Sequence, residues 1–288
     1  MEYLIHIAIF ICIYGILGLS LNLVIGETGL VSVAHAAFYG LGAYAAALLL
    51  TEAGFNFFAA LPVAMVLAGL LALATGVVFS RFRGEFYMLG TVGFNIIIWS
   101  VFLNWQGLTH GPLGVPGIDR PELFGFRFSE NITFLLLSLV LLAATYGVAQ
   151  FITRSSFGRV LKAIREDEQA ISIFGYATLH YKLLIFVISA MLAGLAGALF
   201  ASYITFIDPS SFTLNESIFL LAIVILGGLG SHSGALLGAL ILVVMPEAFR
   251  FIGFPADVAA QLRLATYGVL LIGLMLYRPQ GLLGTFRL

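Results

Sequence analysis

The sequence is 288 residues long, 61% hydrophobic and 9% charged, with a mean hydropathy of +1.09. Soluble domains carry about 25% charged residues, so polar side chains here are too few to cover a water-facing surface, and lipid must cover most of it. A net charge of −1, with no basic tract interleaved with aromatic residues, argues against a nucleic-acid partner. The single Cys12 lies inside an apolar run and offers neither a disulfide nor a metal site, and the histidines at 6, 35, 110, 180 and 232 show no ligand spacing. The expected class is an all-α polytopic membrane protein.

Spanning about 30 Å of hydrocarbon takes roughly 20 apolar residues, which leaves room for roughly eight to ten helices. Apolar runs place candidate spans at 3–25, 29–50, 59–79, 86–104, 131–152, 182–206, 216–231, 235–252 and 262–277. The chain begins Met1-Glu2-Tyr3 without Lys or Arg, and its first apolar run is longer than that of a cleavable signal, so it reads as a retained span. Residues 1–288 read as one transmembrane domain.

The first irregularity is a broken helix near 20–44, where Asn22, Gly26, Glu27, Thr28, Gly29, Ser32 and His35 interrupt apolar residues. Irregular backbone at membrane depth is tolerated only where protein or a water-filled cavity surrounds it, so such breaks point to a translocation path. Ser32, His35 and Tyr39 follow one another by about one turn and are expected to share a helix face. Asn22 and Asn95, the latter mid-span, join them as pathway candidates; for each the alternative is a hydrogen bond that holds neighbouring spans together.

The segment 105–130 has Pro112, Pro116 and Pro121 among Gly107, Gly111, Gly114 and Gly117, which predicts a turn-rich, ordered outer cover. The long polar insertion at 153–181 predicts an amphipathic helix over 155–174. Ser155 or Ser156 caps it, Gly175 ends it, and Phe157, Val160, Leu161, Ile164 and Ile171 form its apolar face. Arg159, Lys162, Arg165, Glu166, Asp167 and Glu168 take the remaining positions. A helix of this length needs a surface to lie on, and Glu166-Asp167-Glu168 disfavours anionic lipid, so the surface is protein, either the chain's own bundle or a partner.

A second break falls near 225–236, at Gly227-Gly228-Leu229-Gly230-Ser231-His232-Ser233-Gly234, and adds Ser231 and His232 to the pathway candidates. Gly230, Gly234 and Gly238 form a small-residue ladder, and Gly194 with Gly197 another close-approach surface. The two breaks look alike, Ile25-Gly26-Glu27-Thr28-Gly29-Leu30 beside Leu226-Gly227-Gly228-Leu229-Gly230. Glu216 is expected to begin a helix, and Glu247 to pair with Arg250. Ser231 beside His232 lacks the spacing and the third carboxylate of a nucleophilic site, so no catalytic residue is assigned.

Basic residues concentrate on the cytoplasmic side of spans. With nine spans, Arg81 and Arg83, then Arg154, Arg159, Lys162, Arg165 and Lys182, then Arg278 and Arg287 all fall on one side. They are 9 of the 13 basic residues, and the N-terminus falls outside and the C-terminus inside.

Residues 21–44 (LNLVIGETGLVSVAHAAFYGLGAY), 105–117 (WQGLTHGPLGVPG), 158–175 (GRVLKAIREDEQAISIFG) and 225–237 (ILGGLGSHSGALL) resemble the signatures of ABC-transporter permeases for branched-chain amino acids, of the LivM-like kind. The resemblance covers nearly the whole chain. It implies a plasma-membrane importer of leucine, isoleucine or valine. In it this chain joins a second, LivH-like permease, two cytoplasmic ATPase subunits that hold ATP and Mg, and an external binding protein. No G-x-x-x-x-G-K-[ST] motif occurs in this chain, so hydrolysis would be supplied by separate subunits and the chain itself holds no cofactor or metal. Arg159, Lys162, Arg165, Glu166, Asp167, Glu168 and Gly175 would then form the segment that couples to the ATPase. An ion-coupled secondary transporter of small amino acids or amides is the alternative reading.

Overall fold

The computed structural model describes residues 2–251 apart from 83 and 124, and beyond them residues 265, 266, 268, 269, 272, 273, 276 and 280–284. Helices run in the order α1 (Glu2–Thr28), α2 (His35–Thr51), α3 (Phe57–Phe79), α4 (Glu85–Asn104), the single turn α5 (Gln106–Thr109), α6 (Asn131–Arg154), α7 (Ser156–Glu166), α8 (Glu168–Ile173), α9 (Thr178–Ile204), α10 (Leu214–Gly227) and α11 (His232–Phe251). Among the described residues α1, α3, α4, α6 and α9 are long and apolar enough to cross a membrane, and α2, α10 and residues 232–247 of α11 are shorter apolar helices. The all-α polytopic class holds. Most of the candidate span 262–277 lies outside the described residues.

The spanning helices are apolar all round, so hydrophobic periodicity cannot say which of their faces meets protein; small residues decide it. In α3 the buried positions Ala60, Ala64, Ala68, Ala72 and Gly76 recur every four residues, while Val63, Val66, Leu67, Leu70, Leu73 and Val77 are exposed and form the lipid face. That small-residue stripe lets α9 approach closely. On its other side α9 meets α2: a Cβ on Gly42 would strike the Gly194 backbone, and one on Gly197 would strike the Tyr39 carbonyl oxygen. The close-approach surface expected at Gly194 and Gly197 is therefore real, and α9 is gripped between α2 and α3. The second half of α1, continuously buried from Ser20 to Thr28, completes the centre.

Two faces of the bundle are distinct. One carries Tyr3, whose hydroxyl donates to Glu247, together with residues 52–58, the segment 105–130 and 204–213. There β1 (Val115–Pro116) pairs with β4 (Phe206–Ile207), and β2 (Glu122–Leu123) with β3 (Phe126–Arg127), both antiparallel. Arg127 and Glu122 close the second ribbon at 2.6 Å, so the expected ordered cover is present as two short ribbons. The opposite face carries α7, α8 and the two backbone breaks. The described basic residues Arg81, Arg154, Arg159, Lys162, Arg165 and Lys182 fall on that side, while Arg83, Arg278 and Arg287 lie outside the described residues. The Arg250 side chain also lies outside the description, so the expected pairing with Glu247 is not addressed.

Three local expectations need correction. The amphipathic segment is two helices: Asp167 is extended, and its carboxylate accepts from Gln169 N at 2.9 Å and Ala170 N at 3.0 Å, capping α8 instead of continuing α7. Ser155 caps α7 through Gly158 N at 3.3 Å, and Gly175 (φ +89°) follows α8 as expected. Gly230 is no rung of a helical ladder. It sits in the break with φ +74°, whereas Gly234 and Gly238 do pack, against the carbonyls of Gly227 and Ile223. Lastly, Ser32 precedes α2 in the non-helical stretch 29–34 and shares no helix face with His35 and Tyr39.

Replacing Gly197 by Ala is expected to destabilise the protein by about 1–3 kcal/mol, because the new methyl meets fixed backbone. Gly147→Ala on α6, where a Cβ meets nothing within 4 Å, is expected to be neutral or stabilising by up to about 1 kcal/mol. Thermal unfolding of both variants in detergent checks the contrast.

Candidate functional site

The first break leaves the N-terminus of α2 inside the bundle, with backbone N–H groups that need partners. Hydroxyls from five places supply them or brace the residues around them. Thr91 of α4 accepts from Val33 N at 3.1 Å, Ser217 of α10 from Ala36 N at 2.9 Å, and Ser32 from Ala34 N at 3.4 Å. His35 pairs through Nε2 with Ser20 Oγ of α1 at 2.7 Å, and Ser189 of α9 donates to the Ser20 carbonyl at 2.5 Å. His35 thus ties the start of α2 to α1, Thr91 and Ser217 tie it to α4 and α10, and Ser32 bonds only within the break. Tyr39, one turn on, is buried between Phe200 and Phe212. Asn95 lies one turn after Thr91 on α4, fully buried, and its amide makes no hydrogen bond.

The second break meets the last turns of α1, which lead into the first. Asn22 Oδ1 accepts from Gly230 N at 3.0 Å, and Gly26 lies so close to Gly230 that a Cβ on it would stand 2.6 Å from the same nitrogen. The two stretches that look alike in the sequence are therefore in contact. The carbonyls freed at the end of α10 are taken up by the chain's last described segment: Leu282 N donates to Leu226 O and Leu283 N to Gly227 O, each at 2.9 Å. Gly228 (φ +111°) packs on the Gly284 backbone there, a position no side chain could share.

α7 closes this junction from outside the spans. Arg165 donates to the Gly26 carbonyl, and Lys162 Nζ lies 3.7 Å from Oε2 of Glu27, which is 1% exposed. Burial lowers the Arg165 guanidinium below its ordinary value, and the charges of Glu166 and Glu27 oppose that. Leu161 and Ile164 are buried against the bundle beneath them. Arg159, Glu166 and Glu168 are exposed on the other side, and Glu168 holds Lys182 at 2.6 Å and the Thr178 hydroxyl at 3.1 Å. Of the coupling candidates, then, Lys162 and Arg165 face the bundle, Asp167 caps α8, and Glu168 ties α8 to α9.

Ser231 Oγ accepts from Gly234 N at 3.1 Å and caps α11, while His232 turns its Nε2 to Thr153 of α6 at 3.1 Å, so the two form no hydrolytic pair. Beside them opens a recess of about 330 Å³, lined among others by Glu27, Tyr146, Arg154, Lys162, Ser231 and His232. Sequence reasoning placed Ser231, His232 and Lys162 near function but left Glu27, Tyr146 and Arg154 out. The available signal was Glu27 itself, an acid at the end of an apolar span, which is a functional hypothesis by default.

A bundle with two backbone breaks, the second packed on the helix end that leads into the first and closed over by an amphipathic helix outside the spans, defines a polytopic membrane transport protein. The family model described as branched-chain amino acid transport system / permease component matches residues 3–277, and the chain belongs to that family. It is 37% identical over 302 residues, 97% of this chain and 69% of the relative, to the high-affinity branched-chain amino acid transport system permease protein LivM of Escherichia coli (strain K12). It is also 28% identical, over 94% of this chain and 91% of the relative, to the permease protein LivH of the same organism, and 27% identical over the same shares to BraD of Pseudomonas aeruginosa. No solved structure matches significantly. The resemblance read from the four sequence stretches is thereby confirmed.

Asn22→Ala would leave Gly230 N without its acceptor inside the junction. The expected loss is about 1–3 kcal/mol, read as a lower thermal midpoint of the purified protein.

Proposed function

We propose that this chain is the membrane subunit of an ABC importer that moves leucine, isoleucine or valine into the cytoplasm by alternating access, with ATP and Mg bound on separate ATPase subunits. The observation that carries the reading is the tip of the α7–α8 segment. Ile173 and Phe174 are 84% and 77% exposed, with Tyr176 beside them, on a part of the chain that lies outside the spans and is braced by the Glu168–Lys182 pair. An exposed apolar tip on a segment outside the spans would serve as a docking contact, and α7 links it to the break junction through Lys162 and Arg165. The α7 face is then the cytoplasmic face, in keeping with its basic residues, which puts the N-terminus outside and the C-terminus inside. The ribbons at 105–130 would face the external binding protein, and a LivH-like second permease would complete the pathway. Asn22, Ser32, His35, Tyr39, Asn95, Ser231 and His232 would act there chiefly by fixing the breaks, with Asn95 and His232 keeping unpaired polar atoms for a passing substrate.

Ile173→Asp with Phe174→Asp changes only exposed side chains, so folding is expected to be unaffected. ATP-dependent leucine uptake and co-purification of the ATPase subunits should both fall about tenfold or more, the usual consequence of removing interface anchors. Retention of both overturns the coupling assignment, and leucine uptake by this chain alone under an ion gradient would favour a secondary carrier.

A further inference from the structure

The recess beside the break junction is lined by charge of both signs. At one end lies Glu27, 1% exposed; its Oε2 makes no hydrogen bond, and Lys162 at 3.7 Å is at ion-pair distance only. A carboxylate this buried needs hydrogen-bond donors as well as a counter-charge. At the other end is the start of α11, whose first backbone N–H groups and positive dipole end favour a negative group. His232 stands there, 8% exposed, with Nε2 on Thr153 and Nδ1 without a hydrogen-bond partner. Lys162 and Arg154 also line the recess, and the Tyr146 ring, 6.1 Å from the His232 ring, forms part of its wall. The volume of about 330 Å³ falls within the range of small-molecule sites, about 300–1,000 Å³.

We propose that this recess is a binding site for the zwitterionic head of an α-amino acid, with the ammonium on Glu27 and the carboxylate between Lys162 and the start of α11. The proposal rests on the importer reading and adds a substrate contact on this chain, on the face that carries the coupling helix. An ammonium on Glu27 competes with Lys162 for the same carboxylate. Occupancy therefore loosens the tie between α7 and α1, and the segment that meets the motor senses whether substrate is present.

The test uses the full chain in membranes holding the assembled transporter, with Cys12→Ala and Ser233→Cys as reporter, since Ser233 is exposed at the rim. Alkylation of the new thiol by a small charged reagent is expected to slow about tenfold with saturating leucine. It should not slow with 4-methylpentanoate, 3-methylbutylamine or inorganic phosphate, which carry only one of the two charges. Glu27→Gln should remove the protection. Leucine uptake by the reporter protein without protection overturns the site and leaves the importer standing, whereas absence of leucine uptake in the unmodified transporter overturns the importer reading. Equal protection by methylpentanoate or phosphate would show a plain anion site and overturn the zwitterion assignment. If Glu27→Gln fails to assemble, the comparison of leucine with the three analogues on the intact recess decides alone.

Discussion

Hydrocarbon offers nothing to a backbone N–H or C=O, so a helix broken within a membrane protein must find partners for every group it frees. The architecture around residues 26–35 and 227–232 follows from that constraint. At the first break the partners are hydroxyls: Thr91, Ser217 and Ser32 accept from the stretch that opens α2, and they come from α4, α10 and the break itself. At the second break the partners are an amide and a backbone segment, since Asn22 accepts from Gly230 N while Leu282 and Leu283 donate to the carbonyls at the end of α10. Apart from Ser32, the partners of each break come from elements remote in sequence. Neither can change shape without moving the helices that hold it, which is the property a gated pathway needs.

Small residues make that arrangement possible. Gly26 allows α1 to touch Gly230, Gly42 and Gly197 allow α2 to lie on α9, and the alanines of α3 allow α9 to be held from the far side. Lipid supplies no hydrophobic drive between helices, so close approach and the hydrogen bonds it permits do the work. Bulky side chains are turned outward: Leu70, Val77, Phe86 and Ile97 cover the bundle where acyl chains would lie.

Much of this was legible in the sequence because the signals were of kinds that a membrane amplifies. Runs of apolar residues gave the helices, and Gly-rich polar interruptions gave both breaks. What remained hidden depended on partners distant in the chain. Nothing around Ser32 indicates that the helix begins only at His35, since that start is fixed by Thr91 and Ser217. The periodicity of 155–174 suits one helix, yet Asp167 caps a second one, because a carboxylate that can accept two backbone N–H groups competes with helix continuation. Glu27 was visible as a residue but not as a site, for its meaning comes from Lys162, some 135 positions later.

The charges that do enter the bundle are concentrated at one seam. Lys162 and Arg165 reach from α7 to Glu27 and the Gly26 carbonyl, beside the contact between α1 and the second break. Displacing α7 would take the half-exposed Lys162 away from a buried carboxylate and leave the cost of burying that charge less compensated. A rigid-body push on the α7–α8 tip therefore cannot stay local. Either α1 follows α7, carrying Gly26 and Asn22 away from Gly230, or another cation replaces Lys162 at Glu27. Both routes join the outer surface of α7 to the shape of the break, and the second does so only when a positively charged group is in the recess.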